Sequence, residues 1–196
     1  MVKPFVYYYP LDLAEREQGR MRDSLKRLEQ LLAEPPVERH CSIARLPCSA
    51  EKGVLAALQE TDLGMRDIRV GSVMRAIGTF ATGKANTRLI PRLVVRCPLG
   101  NPLAQTCLAA DPNALWGLAG SVLAVVYNDS EPALWHEVLH LLGAKDCYKF
   151  PDRGPTCEHP LCIMQYAPIE GEVRGELPIC PENIERIRRE LSQITD

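Results

Sequence analysis

The chain has 196 residues, with 23 lysines and arginines against 25 aspartates and glutamates, so its net charge is −2. A balance this even excludes a protein that binds polyanions through a general basic surface, and we expect no nucleic-acid partner. A chain of this length buries about 70% of its unfolded surface, so one hydrophobic core forms without cross-links. We therefore expect a single domain over residues 1–196, and the eight cysteines need an explanation from their positions.

The apolar segments are too short for a membrane span or a secretory leader. The longest covers residues 114–127 and is interrupted by Gly117, Gly120 and Ser121, whereas a helix needs about 20 apolar residues to cross a bilayer. Residues 1–10 lack the uninterrupted apolar region and small-residue cleavage site of a secretory signal. We expect a cytoplasmic protein with no membrane partner, in which thiols are reduced unless a metal binds them.

The first half of the chain predicts alternating strands and helices. Residues 5–9 are aromatic or β-branched and predict a strand. Residues 13–34 carry Met21 and three leucines at helical spacing and predict an amphipathic helix that ends at Pro35. Residues 98–120 have irregularly placed glycines and prolines and give no prediction. The remaining predictions are a strand over 37–46, a helix over 50–61, and strands over 68–74 and 89–97.

The second half predicts one more strand, two helices and an irregular segment. Residues 121–127 form a short apolar run that is typical of a buried strand. Ser130, followed by an acid and a proline, predicts a helix start, and that helix ends at Gly143. Residues 145–178 are rich in glycine, proline and cysteine and predict a loop region, and residues 184–194 predict a terminal helix.

The order of these elements predicts an α/β fold. We expect an upper part, residues 1–143, with a sheet and a long helix. The lower part, residues 144–196, would contain the irregular segment and the terminal helix. Four cysteines precede residue 110 and have no metal-ligand spacing, so we expect them to be buried core residues: Cys41, Cys48, Cys97 and Cys107.

The long helix carries the sequence His136-Glu137-Val138-Leu139-His140. Residues four apart lie on one helical face, so both imidazoles can reach one metal ion, while Glu137 projects about 100° away, toward a bound water. This spacing is typical of a zinc peptidase, in which zinc lowers the pKa of the water and the glutamate takes its proton. The alternative is an exposed helix face with two histidines that bind nothing.

A third zinc ligand is expected just after the helix. Gly143 lets the helix end abruptly and the chain turn back. Asp146 occupies the position at which H-E-x-x-H-x-x-G-x-x-H places its third histidine. A carboxylate oxygen is an acceptable zinc ligand, so three ligands would leave one position open for water. Cys147 and His159 are the competing third ligands, and an ordinary loop carboxylate is the alternative for Asp146.

Downstream, residues 157–164 read Cys-Glu-His-Pro-Leu-Cys-Ile-Met, and Cys180 begins the sequence Cys-Pro-Glu-Asn. With the extended histidine motif, this segment resembles the metzincin clan of zinc peptidases and is most similar to the archaemetzincins. The resemblance covers residues 130–183. It implies a metzincin-like domain with a mixed twisted sheet, an active-site helix, and a turn that places Met164 beneath the metal site.

Three features depart from the archaemetzincin pattern. Asp146 replaces the third histidine, as in the snapalysin branch, and Asn183 stands where the last cysteine would be. Fourteen residues rather than four separate Cys147 from the cysteine before Met164, and this longer segment brings one more cysteine. The chain would thereby regain four thiolates suited to a closed structural zinc site: Cys147, Cys157, Cys162 and Cys180. Four reduced thiols or two disulfides are the alternatives.

The resemblance also implies a role for Tyr166 and a way of binding substrate. Tyr166 resembles the tyrosine of the astacin-type Met-turn, which binds zinc or stabilises the oxyanion; a packing role is the alternative. The substrate would be a peptide or protein that lies in extended form along an edge strand within residues 89–120. Residues 166–178 would line the pocket for the side chain after the scissile bond.

These observations predict a zinc-dependent endopeptidase, or an aminopeptidase-like peptide hydrolase, with one catalytic and one structural zinc and with Glu137 as general base. The alternative is a catalytically inactive, zinc-stabilised peptide-binding module in which a fourth protein ligand, such as Cys147 or His159, closes the site. Glu137 favours the enzyme, because a purely structural site has no need of it. A redox or metal-buffering protein is disfavoured because the sequence contains no C-x-x-C pair.

Overall fold

A computed structural model of the chain describes residues 5–59, 92–110, 116–120, 122–149, 154–159, 161–165, 173 and 175–193. Five strands and five helices lie within these ranges, which confirms the α/β class. In chain order they are β1 (Val6–Pro10), α1 (Glu15–Ala33), β2 (Ile43–Arg45), α2 (Cys48–Gln59), β3 (Arg92–Arg96), α3 (Pro102–Ala110), β4 (Gly117–Ala119), β5 (Leu123–Val126), α4 (Glu131–Leu141) and α5 (Pro181–Ser192).

The five strands form one mixed sheet in the order β2-β1-β3-β5-β4. β1 pairs in parallel with β2 and β3, and β3 pairs in parallel with β5. β4 runs antiparallel to β5 and forms one edge of this sheet. The central strands are apolar almost throughout, as expected of parallel strands that are covered on both faces.

A separate hydrophobic core covers each face of the sheet. Val94 of β3 belongs to the core shared with α1, α4 and α5, whereas its neighbours Leu93 and Val95 belong to the core shared with α2 and α3. The first core also contains Ile187 and Leu191 of the terminal helix. Residues of the predicted upper and lower parts therefore pack into one core. Among the described helices, none is both long and apolar enough to cross a membrane.

The helix predicted over residues 13–34 is confirmed within two residues at each end. The helix predicted over residues 50–61 is confirmed from two residues earlier, at Cys48, to Gln59, and positions 60 and 61 lie outside the described residues. The strand predicted over residues 37–46 is wrong in extent, because only Ile43–Arg45 pairs with β1. The chain first forms a turn, in which the N–H of Arg39 donates to the carbonyl of Leu32 at 2.7 Å.

Residues 98–120, which gave no prediction, contain α3 and β4. Asn101 begins α3, because its Oδ1 accepts the N–H of Leu103 at 2.8 Å. The strand predicted over residues 68–74 lies outside the described residues, as does position 194 of the predicted terminal helix. The prediction for the early cysteines is wrong for Cys48, which is exposed at the start of α2, and correct for the other three.

Candidate metal centre

Helix α4 carries the histidine motif and is buried on nearly all sides. Ser130 begins the helix, because its Oγ accepts the N–H of Ala133 at 3.3 Å, and Pro132 fits the first turn, where its missing N–H costs nothing. Leu134 and Trp135 pack into the core against α1, while His136 and Glu137 are 3% and 5% exposed. A helix with this burial holds its side chains in one arrangement.

The C-terminus of α4 turns the chain back toward the histidines. Gly143 has a φ of +89°, a conformation that glycine adopts without strain. The N–H of Gly143 donates to the carbonyl of His140 and that of Ala144 to the carbonyl of Leu139, both at 3.0 Å, which is a Schellman motif. The turn therefore places residues 144–147 beside the helical face that carries both imidazoles.

Three donor atoms converge at this turn. The Nε2 atoms of His136 and His140 lie 3.0 Å apart, and the Oδ1 of Asp146 lies 3.3 and 3.2 Å from them. The corners of a tetrahedral zinc site with bonds of about 2.0–2.1 Å are themselves roughly 3.3 Å apart. The donor types and their separations therefore fit a metal ion such as zinc, and these three residues form one of the two groups in the described residues that can bind one.

Both imidazoles are oriented by backbone carbonyls. The Nδ1 of His136 lies 2.8 Å from the carbonyl oxygen of Ile163, and the Nδ1 of His140 lies 3.0 Å from that of Ala144. Because a carbonyl only accepts, Nδ1 carries a proton in each ring, which leaves Nε2 as the nitrogen that faces the shared centre. The Trp116 ring meets His136 edge-on, with ring centroids 5.7 Å apart. The donor atoms are thus oriented before any metal binds.

Glu137 lies against the edge strand β4. A Cβ atom placed on Gly117 would lie 2.8 Å from the Cγ and 2.9 Å from the Cδ of Glu137, and 2.6 Å from the carbonyl oxygen of Val125. Only glycine leaves room there, so the carboxyl group and the backbone of the edge strand approach each other closely.

The ionisation of Glu137 and Asp146 differs because their surroundings differ. Burial raises the pKa of Glu137, and Asp146 raises it further, although both histidines lower it. Burial also acts to raise the pKa of Asp146, but hydrogen bonds from His136 and His140 outweigh it and hold that pKa well below its usual range. Asp146 is therefore a carboxylate donor, whereas burial favours the protonated form of Glu137 more than it does for an exposed glutamate.

A second group of donors, which we call the thiol cluster, begins one residue after Asp146. It consists of four free cysteines whose sulfur atoms all lie within 4.8 Å of one another: Cys147, Cys157, Cys162 and Cys180. The Sγ atom of Cys147 lies 3.5 Å from that of Cys180 and 3.8 Å from that of Cys162. A disulfide needs about 2.0 Å, whereas the sulfurs of a tetrahedral zinc site with bonds of about 2.3 Å are roughly 3.8 Å apart.

Two thiols of this cluster, those of Cys147 and Cys162, resist ionisation. Burial raises the pKa of Cys147 far above its usual range and that of Cys162 to about 12, and the neighbouring sulfurs add to both effects. Cys157 differs: burial acts to raise its pKa, but hydrogen bonds from Gln165 and from neighbouring thiols lower it. A cation at the centre would remove the repulsion among four thiolates, which is the condition under which such a group deprotonates.

Asn183 and the turn at Met164 connect the two groups of donors. Asn183 is 2% exposed; its Oδ1 accepts the N–H of Lys145 at 2.9 Å, and its Nδ2 donates to the carbonyl of Lys145 at 2.9 Å and to the Sγ of Cys147 at 3.3 Å. Met164 is fully buried, and its carbonyl accepts the N–H of Cys147 at 2.7 Å. Both contacts hold the segment that carries Asp146 and Cys147.

The structure separates the competing third ligands. Cys147 belongs to the thiol cluster, and His159 lies in neither group; its Nδ1 is buried without a hydrogen-bond partner among the described residues. Tyr166 lies outside the described residues, as does most of the predicted pocket wall over 166–178.

Three contributions could not be read from motifs: the space at Gly117, the carbonyl of Ile163 and the side chain of Asn183. For Asn183 the sequence offered one indication of a role, because this residue stands where the archaemetzincin pattern has its last cysteine. Comparison of the chain with protein-family models, with curated proteins and with solved structures gave no match.

Proposed function

We propose that this chain is a zinc-dependent peptidase whose metal is held by His136, His140 and Asp146. The observation that carries the proposal is the convergence of three differently oriented donors within 3.0–3.3 Å, with a buried glutamate beside the first histidine. Zinc would supply Lewis acidity to this centre. Asp146 is an exposed residue and its side chain is 41% accessible, so a substrate can approach the donors from that side.

Glu137 is the proposed proton carrier. Its raised pKa allows the carboxylate to take a proton from the attacking water and to return it to the leaving amine of the peptide. The narrow space between α4 and Gly117 holds the carboxyl group in place, so little reorganisation is needed when the proton moves. His136 and His140 keep their Nδ1 protons on backbone carbonyls and take no part in the transfer.

The edge strand β4 is the proposed docking place of the peptide. Among the described residues β4 pairs only with β5, so we propose that its outer backbone groups pair with an extended chain. Gly117 of this strand lies against Glu137. A peptide paired with β4 would therefore bring a carbonyl group close to the glutamate and to the metal ligands.

The thiol cluster is proposed to bind a second, structural zinc. It has four donors of one kind, of which three belong to buried residues, and this is the composition of a closed site. Its role would be to hold the irregular segment between α4 and α5, where the described residues form no helix and only the isolated bridge between Tyr148 and Pro155.

The deciding experiment compares Glu137→Gln with the parent chain in zinc content and in hydrolysis of a fluorogenic peptide library. We expect both proteins to hold two zinc ions per chain and the variant to lose at least about 100-fold in rate, since a general base contributes on the order of 10²–10⁴. The exposed Glu182→Gln on α5 is the matched control and should retain full rate. Unchanged turnover in Glu137→Gln would remove the proposed base.

Peptides with a blocked N-terminus separate the two kinds of peptidase. Their cleavage shows an endopeptidase, whereas cleavage restricted to free N-termini shows the aminopeptidase-like alternative. A zinc-loaded parent chain that binds peptides and cleaves none of them would instead support the inactive binding module. That module requires a fourth protein donor, and the described residues bring three to the His136 site.

A further inference from the structure

Arg96 is a buried cation for which the described residues provide no ion-pair or hydrogen-bond partner. It is the last residue of the central strand β3 and is 6% exposed. Among the described residues, no carboxylate lies within ion-pair distance of its guanidinium, and no acceptor receives a hydrogen bond from it. Burial lowers the pKa of Arg96, while Asp129 and Glu17 act from a distance to raise it. Buried arginines are normally paired, because an uncompensated buried charge is costly.

The guanidinium lines a pocket of about 530 Å³ between α1 and the start of α4. Arg20, Ser24 and Arg27 of α1 form one wall, and Ser130 and Leu134 form the other. The volume falls in the range of small-molecule sites, roughly 300–1,000 Å³. The N-terminus of α4, a helix of 11 residues, also opens here, and its dipole favours an anion.

Charges within the pocket indicate the kind of anion. Of the other cations, Arg27 already pairs with Glu131 at 3.4 Å and lies over the Trp135 ring. The exposed acids Asp23 and Asp129 stand at the rim, and Asp23 pairs with Arg22 at 3.2 Å. These acids repel a multiply charged ligand, whereas a single carboxylate matches the fork of Arg96, the buried guanidinium of the pocket. Arg20 also lines the pocket and has no ion-pair partner among the described residues, but it is exposed to solvent.

We propose that this pocket binds a small monocarboxylate, whose carboxylate pairs with Arg96. The site is separate from the metal centre, because Leu134 and His136 lie roughly 200° apart around α4 at about 100° per residue. Binding compensates the buried charge, so the ligand stabilises the folded chain. The proposal does not depend on peptidase activity.

The test is calorimetric titration of the full chain, loaded with zinc, with acetate, butanoate and benzoate at constant ionic strength. We expect saturable binding of at least one carboxylate, at least tenfold weaker binding in Arg96→Met, and unchanged binding in Arg16→Met, an exposed change of equal charge on α1. Butanamide and inorganic phosphate should bind more weakly than butanoate. Arg96→Lys, which keeps the charge and loses the fork, should be intermediate and serves if Arg96→Met does not fold.

Two kinds of result would overturn the proposal. One is the absence of saturable binding for all three carboxylates, or tighter binding of phosphate than of any of them. The other is equal affinity of the parent and the Arg96 variants, which would place the carboxylate elsewhere, such as on the zinc. Loss of hydrolysis in Glu137→Gln leaves all of these outcomes unaffected, so failure of the peptidase proposal is distinguishable from failure of this one.

Discussion

The two donor groups are one residue apart in the chain, yet they are built in different ways. Two donors of the His136 site come from one helix, four residues apart, and the third lies on an exposed turn. The thiol cluster draws its donors from four positions across residues 147–180 and is largely buried. A site anchored on a rigid helix can leave one side open to substrate, whereas a site made by loops must be closed to hold those loops.

The largest effect is expected from breaking the thiol cluster. Cys180→Ser should release one of two zinc ions and lower the melting temperature by about 10 °C or more, since each kcal/mol is worth about 2–4 °C in a chain of this size. Cys41→Ser is the control, because Cys41 is 2% exposed and outside the cluster. Plasma emission spectrometry and calorimetry give both quantities. Two zinc ions in Cys180→Ser would show that the cluster is not a metal site.

Removing a ligand of the site formed by His136, His140 and Asp146 should lower the rate of hydrolysis more than the stability of the chain. Asp146→Asn takes away the carboxylate that both histidines contact. Zinc affinity at this site should fall by at least about 100-fold, beyond the loss seen when only supporting residues are changed. The thiol cluster should keep its ion. A competition titration with a chelating dye measures both affinities, and an unaltered first affinity would rule out Asp146 as a ligand.

Asn183 tests whether the two sites depend on one support. Asn183→Ala leaves two backbone groups of Lys145 without their partner, at a cost of about 1–3 kcal/mol, and removes the donor to Cys147. We expect both zinc affinities to fall by about 10-fold or more. Cobalt spectra distinguish thiolate from imidazole coordination and report each site separately. A change confined to one site would show that the sites are independent.

The smallest effect is expected from a substitution at Gly117. Gly117→Ala forces either Glu137 or the backbone of β4 to move and should cost about 1–3 kcal/mol. Hydrolysis should fall while zinc content stays the same, because the glutamate is not a ligand. Gly120→Ala is the control, since its nearest contact would be at 3.8 Å. Urea unfolding measures the stability of each variant, and peptide cleavage measures its rate of hydrolysis. Equal stability and equal rate in the two variants would contradict the proposed packing role.

Local patterns in the sequence predicted α1, α2, α4 and α5, because caps, prolines and helical spacing act over a few residues. They also predicted that the two histidines, which are four residues apart, lie on one face of a helix. The sequence did not predict β4, because a three-residue strand has almost no local signal and exists only through pairing with β5. Nor did it show which of Asp146, Cys147 and His159 lies beside the two histidines, because that position depends on the turn after Gly143.

The sequence by itself determined the α/β class, the donor residues and their order along the chain. Only the tertiary structure decided which donors meet and what supports them: the carbonyl of Ile163 lies 27 residues from His136, and Asn183 lies 38 residues from Lys145. The physical reason is the distance along the chain over which each interaction acts. Helix spacing and capping are short-range, whereas orienting a ligand or burying Arg96 beside a pocket depends on how distant segments pack.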